Sequence, residues 1–317
     1  MARKIIVVTA AYGNDHVKAL GGQSAVLPFI AGSGADGVEI RRELFSAAEL
    51  KQLPTLAADI EKQGLLACYS APQALFTDNG ELNPHLPSLL EEAQTLNALW
   101  LKLSLGHFIH NQQLETLRDI LSASGMALVV ENDQTDCGQL APMQRFKAAC
   151  RVHQMPVTLT FDMGNWLWVG DSPEEAARHL APAVSYIHVK AAEPHHEKYR
   201  AVPPDQADAR WLALLDNLPA DAPRGIEFPL VGDDLTAVNT RAGADIDNVV
   251  SGANRIFIVL DHKHGISKVA QMCQGRKKLV VVALMQADTR LVQNVGNSDQ
   301  TGTNLRCQTD PLCLTTG

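Results

Sequence analysis

From residue 4 to about residue 238, short apolar runs alternate with amphipathic stretches. The apolar runs are Lys4–Ala11, Gly37–Arg41, Leu65–Ser70, Leu99–Leu105, Ala127–Asn132, Val157–Asp162, Val184–Val189 and Gly225–Phe228. Each has the length and composition of a buried strand. Between them, Ser46–Gln63, Pro84–Asn97, Asn111–Ser124, Ala141–Gln154, Ser172–Leu180 and Ala209–Leu218 carry apolar residues at helical spacing. Several of these helices have chemical boundaries. Ser46 precedes Glu49 by three residues, a capping box. Ser172-Pro173-Glu174-Glu175 places proline in the first turn and acids at the positive end of the helix dipole. Gly64 and Gly125 follow helical stretches as C-caps. Eight strands interleaved with helices predict a parallel (β/α)8 TIM barrel; a doubly wound open sheet is the alternative.

The pattern changes after residue 238. A last helix begins near Asp233 with Leu235 and Val238, then meets Gly243 and loses its period. Residues 240–317 contain no Glu, Trp or Tyr. They carry 9 basic and 6 acidic side chains, net +3, whereas residues 1–239 carry 18 and 29, net −11. The expectation is a barrel domain over residues 1–238 and an atypical, poorly packed extension over 239–317. That extension contains strand-like runs at Arg255–Leu260 and Lys278–Leu284, and a small accessory module is the alternative.

The 317-residue length accommodates one barrel plus an appendage. A net charge of −8 argues against nucleic acid as partner and suits small neutral or polar molecules. The six cysteines (68, 137, 150, 273, 307 and 313) form no C-x-x-C pair, which predicts a reducing, cytoplasmic setting. The apolar run in MARKIIVVTAAYG is short for a signal peptide and reads as a first strand. No stretch is long enough to predict a membrane span.

Four of the apolar runs end on ligand-type residues: ALVVE on Glu131, VTLTFD on Asp162, VSYIH on His188 and RGIE on Glu227. In a parallel barrel all strand C-termini open onto one face, so these four converge. Three carboxylates and an imidazole suit one divalent ion: Mg²⁺ or Mn²⁺ by their oxygens, with the imidazole favouring Mn²⁺, Co²⁺ or Zn²⁺. Strand parity adds Lys102, which lies out of phase with Leu101, Leu103 and Leu105 and therefore points inward. An inward lysine needs an anion, and Glu39 and Glu131 are the candidates. A structural pair and a substrate contact are both open. The same parity puts Tyr186 and Lys190 on the face of His188.

With Val130-Glu131-Asn132, Phe161-Asp162-Met163-Gly164-Asn165, Ile187-His188-Val189-Lys190 and Ile226-Glu227-Phe228 in this order, the chain resembles the xylose isomerase-like barrel family. That family comprises sugar isomerases and epimerases, including ketose 3-epimerases and inosose-handling enzymes. The resemblance covers roughly residues 4–238. It implies one divalent metal held by Glu131, Asp162, His188 and Glu227, with Glu131 and Glu227 doubling as acid and base. The implied reaction is isomerisation or epimerisation of a sugar, sugar phosphate or cyclitol by proton transfer through a metal-stabilised enediolate. A dehydratase of a keto-cyclitol or keto acid, and a sugar-binding barrel without catalysis, are the alternatives. Such barrels commonly form homo-oligomers. The multi-zinc apurinic endonucleases resemble the same barrel, but their pattern places a histidine where Asn165 stands and a later Asp-x-His that residues 189–226 lack.

Six residues are candidates for substrate contact: Lys102, Asn165, Trp166, Lys190, Glu193 and Arg200. Trp166 and Trp168 follow Asp162 and can either wall a pocket or pack a loop. Asn165 can meet a hydroxyl or shape a turn. Glu193, His195, His196 and Arg200 occupy a polar segment after the seventh strand, where Arg200 is the candidate for a phosphate or carboxylate. His107 and His110 read as loop histidines, and the Gly21-Gly22 and Gly32-Ser33-Gly34 runs as turns.

Overall fold

A computed structural model of the chain describes residues 3–109 and 111–247. His110 and residues 248–317, with the strand-like runs expected there, lie outside the described residues. Eight parallel strands close into a barrel: β1 (Ile5–Val8), β2 (Gly37–Arg41), β3 (Leu66–Phe76), β4 (Ala98–Gly106), β5 (Leu128–Glu131), β6 (Val157–Asp162), β7 (Val184–Val189) and, last in the chain, β10 (Arg224–Ile226). Their order around the barrel is β1-β10-β7-β6-β5-β4-β3-β2. The predicted (β/α)8 architecture is therefore the one found. β2, β6 and β7 have the bounds read from the apolar runs, because both faces of a parallel strand are covered and its apolar run stops where the strand stops.

The caps hold the helices as their chemistry requires. The Ser46 backbone N–H donates to Glu49 at 2.7 Å and the Glu49 N–H donates to the Ser46 hydroxyl at 3.3 Å. Ser172 Oγ accepts from the Glu175 N–H at 3.3 Å. Gly125 ends its helix with φ +65°, a left-handed conformation that glycine takes without steric cost. Two short helices, Asn14–Leu20 and Leu27–Gly32, occupy the region between β1 and β2 where the sequence pattern shows only glycine turns. The turn reading was right at their ends, since Gly21 caps the first of them with φ +107°.

The final helix, Leu235–Asp247, runs on through Gly243. Packing supplies what its periodicity lacks: Leu235, Ala242 and Ile246 are buried. Arg224, itself buried at the start of β10, donates to the Ile246 carbonyl, and Asn239 donates to the Tyr12 hydroxyl. Between β7 and β10 the chain also forms an antiparallel hairpin, β8 (Ala191–His195) with β9 (Lys198–Val202). Its alternation is masked in the sequence by charged and imidazole side chains.

Inside the barrel, Ile6, Cys68 and Tyr186 form a small apolar floor, joined by Trp100, whose ring lies 4.9 Å from that of Tyr186. Gly225 faces this interior. A side chain there would collide with the Tyr186 hydroxyl and crowd the His188 ring, so the absence of Cβ makes room for both. Polar residues are stacked above the floor.

Candidate metal centre

Glu39 is the lowest polar group and is completely buried. The Tyr186 hydroxyl donates to its Oε2 at 2.8 Å, and His188 Nε2 lies 2.7 Å from the same oxygen. Lys102 Nζ is 3.5 Å from Oε1. Burial alone would raise the Glu39 carboxyl, but His188 and Lys102 outweigh it and hold the group below the usual carboxylate range. With Nε2 turned to a carboxylate, the imidazole presents Nδ1 to the barrel mouth. This is the arrangement that orients a metal-binding histidine.

Three strand-end carboxylates meet that Nδ1. Glu131 Oε1 lies at 2.7 Å, Glu227 Oε2 at 3.0 Å and Asp162 Oδ2 at 3.8 Å. One donor atom from each of the four residues falls within 4.8 Å of the others. Registry produces this: Asp162 is paired with His188, and His188 with Gly225, two residues before Glu227.

The Asp162 turn is fixed by its neighbours. The Asn132 side chain donates to the Asp162 carbonyl at 3.0 Å and accepts from its N–H at 2.8 Å, clamping β5 to β6. Asp162 Oδ1 accepts the N–H groups of Gly164 and Asn165, both at 3.0 Å, leaving Oδ2 for the mouth.

Cations surround the ring. Lys102 Nζ donates to Glu131 Oε2 at 2.6 Å, so the inward lysine found by parity meets both carboxylates named for it. Lys190 Nζ lies 2.7 Å from Asp162 Oδ2 and 2.9 Å from Glu227 Oε2. Arg41 Nη1 donates to Glu227 Oε1 at 3.0 Å, while its Nε and Nη2 reach Glu43 at 2.7 Å. Burial would raise the Glu131 carboxyl, yet Lys102 and His188 lower it to about 2. Burial likewise works against Glu227, but His188 and Lys190 take it well below the ordinary value. Asp162 goes the other way: burial raises it, and Lys190 recovers only part. Burial would lower the His188 imidazole, but Glu227 and Glu39 drive it well above its ordinary value.

This donor set fits a divalent cation. Glu131 Oε1, Asp162 Oδ2 and His188 Nδ1 are buried and lack a hydrogen bond of good geometry, although they face one another. Converging buried acceptors repel unless a cation lies among them. Of the eight charged residues here, sequence reasoning missed Arg41 and Glu43, while Glu39 entered only as a partner for Lys102. Arg41 was findable: it lies two residues beyond Glu39 on the same strand, hence on the same face.

The remaining candidates for substrate contact sit elsewhere. Trp166 is fully buried, its ring 5.4 Å from that of Phe161, so it packs the core and walls no open pocket. Asn165 is buried; its amide donates to the Asn132 carbonyl at 2.8 Å and accepts from Gln134 at 3.0 Å, which makes it a turn-shaping residue. Glu193 and Arg200 face each other across the β8–β9 hairpin at 3.2 Å, with the Arg200 side chain 56% exposed. Trp168 is half-buried against Tyr199, at 5.6 Å between rings. His107 pairs at 3.6 Å with an exposed Asp78.

No protein-family profile matches the sequence, and no curated protein matches it either. Solved structures do match by fold. A xylose isomerase domain-containing protein from Salmonella typhimurium LT2 shares 16% identity over 78% of this chain and 96% of its own, with a TM-score of 0.55. The 3-keto-D-glucoside 4-epimerase of E. coli shares 14% identity over 77% and 98%, with a TM-score of 0.54. The IolI protein, solved with a zinc atom bound, shares 14% over 78% and 96%, with a TM-score of 0.55. At these identities the common property is the xylose isomerase-like barrel fold. Among the described residues, no helix is long and apolar enough to cross a membrane.

Proposed function

We propose that the chain is a divalent-metal-dependent isomerase or epimerase of a sugar or polyol, within the xylose isomerase-like barrel family. Glu131, Asp162, His188 and Glu227 hold the ion. The observation that carries this reading is the set of three buried acceptors, Glu131 Oε1, Asp162 Oδ2 and His188 Nδ1, facing one another without hydrogen-bond donors. The zinc atom in IolI and the epimerase activity named for the E. coli protein, both on this fold, support it. Mn²⁺ is the first ion to load, since the imidazole shifts an oxygen-rich site toward Mn²⁺, Co²⁺ or Zn²⁺.

When bound, the ion supplies Lewis acidity to the carbonyl and hydroxyl oxygens of a substrate, favouring its enediolate form. The proton is moved by the chain. Glu131 ends β5 and Glu227 follows β10, two strands separated around the barrel by β6 and β7. Their carboxylates therefore approach the mouth from different sides, as removal and return of a proton at carbon requires. Lys102 positions Glu131; Arg41 and Lys190 position Glu227. Glu39 fixes the His188 ring from below.

The test is solvent exchange. The Mn²⁺-loaded chain should incorporate deuterium from D₂O at the carbon beside the carbonyl of a ketose or keto-cyclitol. Glu131→Gln and Glu227→Gln should each slow exchange by about 10²–10⁴-fold with the fold retained by circular dichroism. Ordinary exchange by either variant would remove it from the acid–base pair.

A further inference from the structure

Each cation of the strand-end cluster is shared between two carboxylates. Arg41 lies between Glu43 and Glu227, Lys102 between Glu39 and Glu131, and Lys190 between Asp162 and Glu227. Three cations therefore face five carboxylates, leaving two negative charges. A bound divalent ion takes the Nδ1 lone pair of His188, which requires a neutral imidazole, and brings the cluster to zero. Four of the five carboxylate side chains are at most 14% exposed, so this balance is struck where water screens little. Moving a proton from substrate carbon to a glutamate leaves the electron pair on the substrate and the total charge unchanged. The balance thus holds through the reaction only if the substrate brings no charge of its own.

Resting on the isomerase reading above, we propose that this site takes an uncharged substrate, a free ketose or keto-cyclitol, and discriminates against sugar phosphates and keto acids. An anionic substituent seated at the cluster would be desolvated without a cation to answer it. Arg200, which the sequence marks for a phosphate or carboxylate, is answered by Glu193 and is more than half exposed, where such a pair contributes little. Lys190 and Arg41, the cations beside Glu227, are already committed to carboxylates. Substrate hydroxyls meet a rim of paired donors and acceptors, which suits a polyol.

The experiment uses the full chain loaded with Mn²⁺ and two matched pairs of probes: D-fructose with D-fructose 6-phosphate, and D-xylulose with D-xylulose 5-phosphate. Paramagnetic broadening of probe resonances, corrected for free Mn²⁺, gives the binding order. The free sugar of each pair should bind about tenfold or more tightly than its phosphate. Glu43→Gln removes one negative charge from the outer edge of the cluster. It should move the ratio toward the phosphate by about tenfold at unchanged Mn²⁺ content. Tighter binding of the phosphates by the parent chain, or a ratio unmoved by Glu43→Gln, would overturn the proposal. Deuterium exchange followed in the same samples separates the two claims. A free-sugar preference without exchange would count against proton transfer and leave the charge inference standing.

Discussion

The two halves of the barrel contribute different chemistry to one site. β5, β6, β7 and the segment leaving β10 provide the four converging donors, Glu131, Asp162, His188 and Glu227. β2 and β4 provide Glu39, Arg41 and Lys102, whose role is to hold those donors in place and in charge balance. Lys190 on the β7 side is the exception. Buried carboxylates this close together are costly unless countered, so the ligand half cannot exist without the other. The difference teaches that a metal site in a barrel is a property of the whole ring, even when its ligands occupy only part of it.

The largest effect should come from the ligand half. His188→Ala should reduce Mn²⁺ affinity by more than the roughly 100-fold that loss of a supporting residue costs, read by equilibrium dialysis. Unchanged retention would remove His188 from the ligand set. Glu39→Gln strikes the supporting half. It keeps the shape but weakens the hold on His188 Nε2, and affinity should fall about 10–100-fold. An effect equal to that of His188→Ala would erase the distinction between the halves.

A pH titration sharpens it further. Because its carboxylate neighbours raise the imidazole well above its ordinary value, metal and proton compete for Nδ1. Metal affinity should therefore continue to climb above pH 6.5, by about tenfold per unit while one proton is displaced. A plateau already reached at pH 6.5 would contradict the raised imidazole.

The smallest effect lies outside the site. Glu92 accepts from Arg42 at 2.8 and 3.0 Å and from the Tyr69 hydroxyl. Burial raises its carboxyl, but Arg42 and Tyr69 lower it overall. A depressed carboxylate stabilises the fold above its unfolded value, and that contribution is lost as pH falls through the folded one. Glu92→Gln should cost about 1.5–3 kcal/mol in chemical denaturation near pH 7 and leave Mn²⁺ binding unchanged. A change in metal affinity would mean that the supporting network extends beyond the barrel interior.

The ligand half was legible in the sequence because its signal is positional. A Glu, Asp or His at the end of an apolar run is unusual enough to notice, and four at one level of a barrel point to one place. Lys102 was legible for a similar reason, as a charge out of phase within a leucine-rich strand. The supporting half was harder to read. Arg41 ends an apolar run as any strand may end on a solvated arginine, and only its parity with Glu39 marks it. Asn132 and Asn165 are small polar residues after strands. Their use as a clamp and a turn depends on which backbone groups the neighbouring strand leaves open. The two short helices before β2 and the β8–β9 hairpin escaped because each buries few side chains, so neither imposes a period on the sequence.

The most direct test of the central claim is elemental analysis of the full chain after loading with Mn²⁺ and desalting. About one ion per chain, reduced sharply in His188→Ala, is the result expected from four donors converging on one point. No retained ion in the parent chain, or equal retention in the variant, would contradict the metal centre and the proton-transfer chemistry built on it.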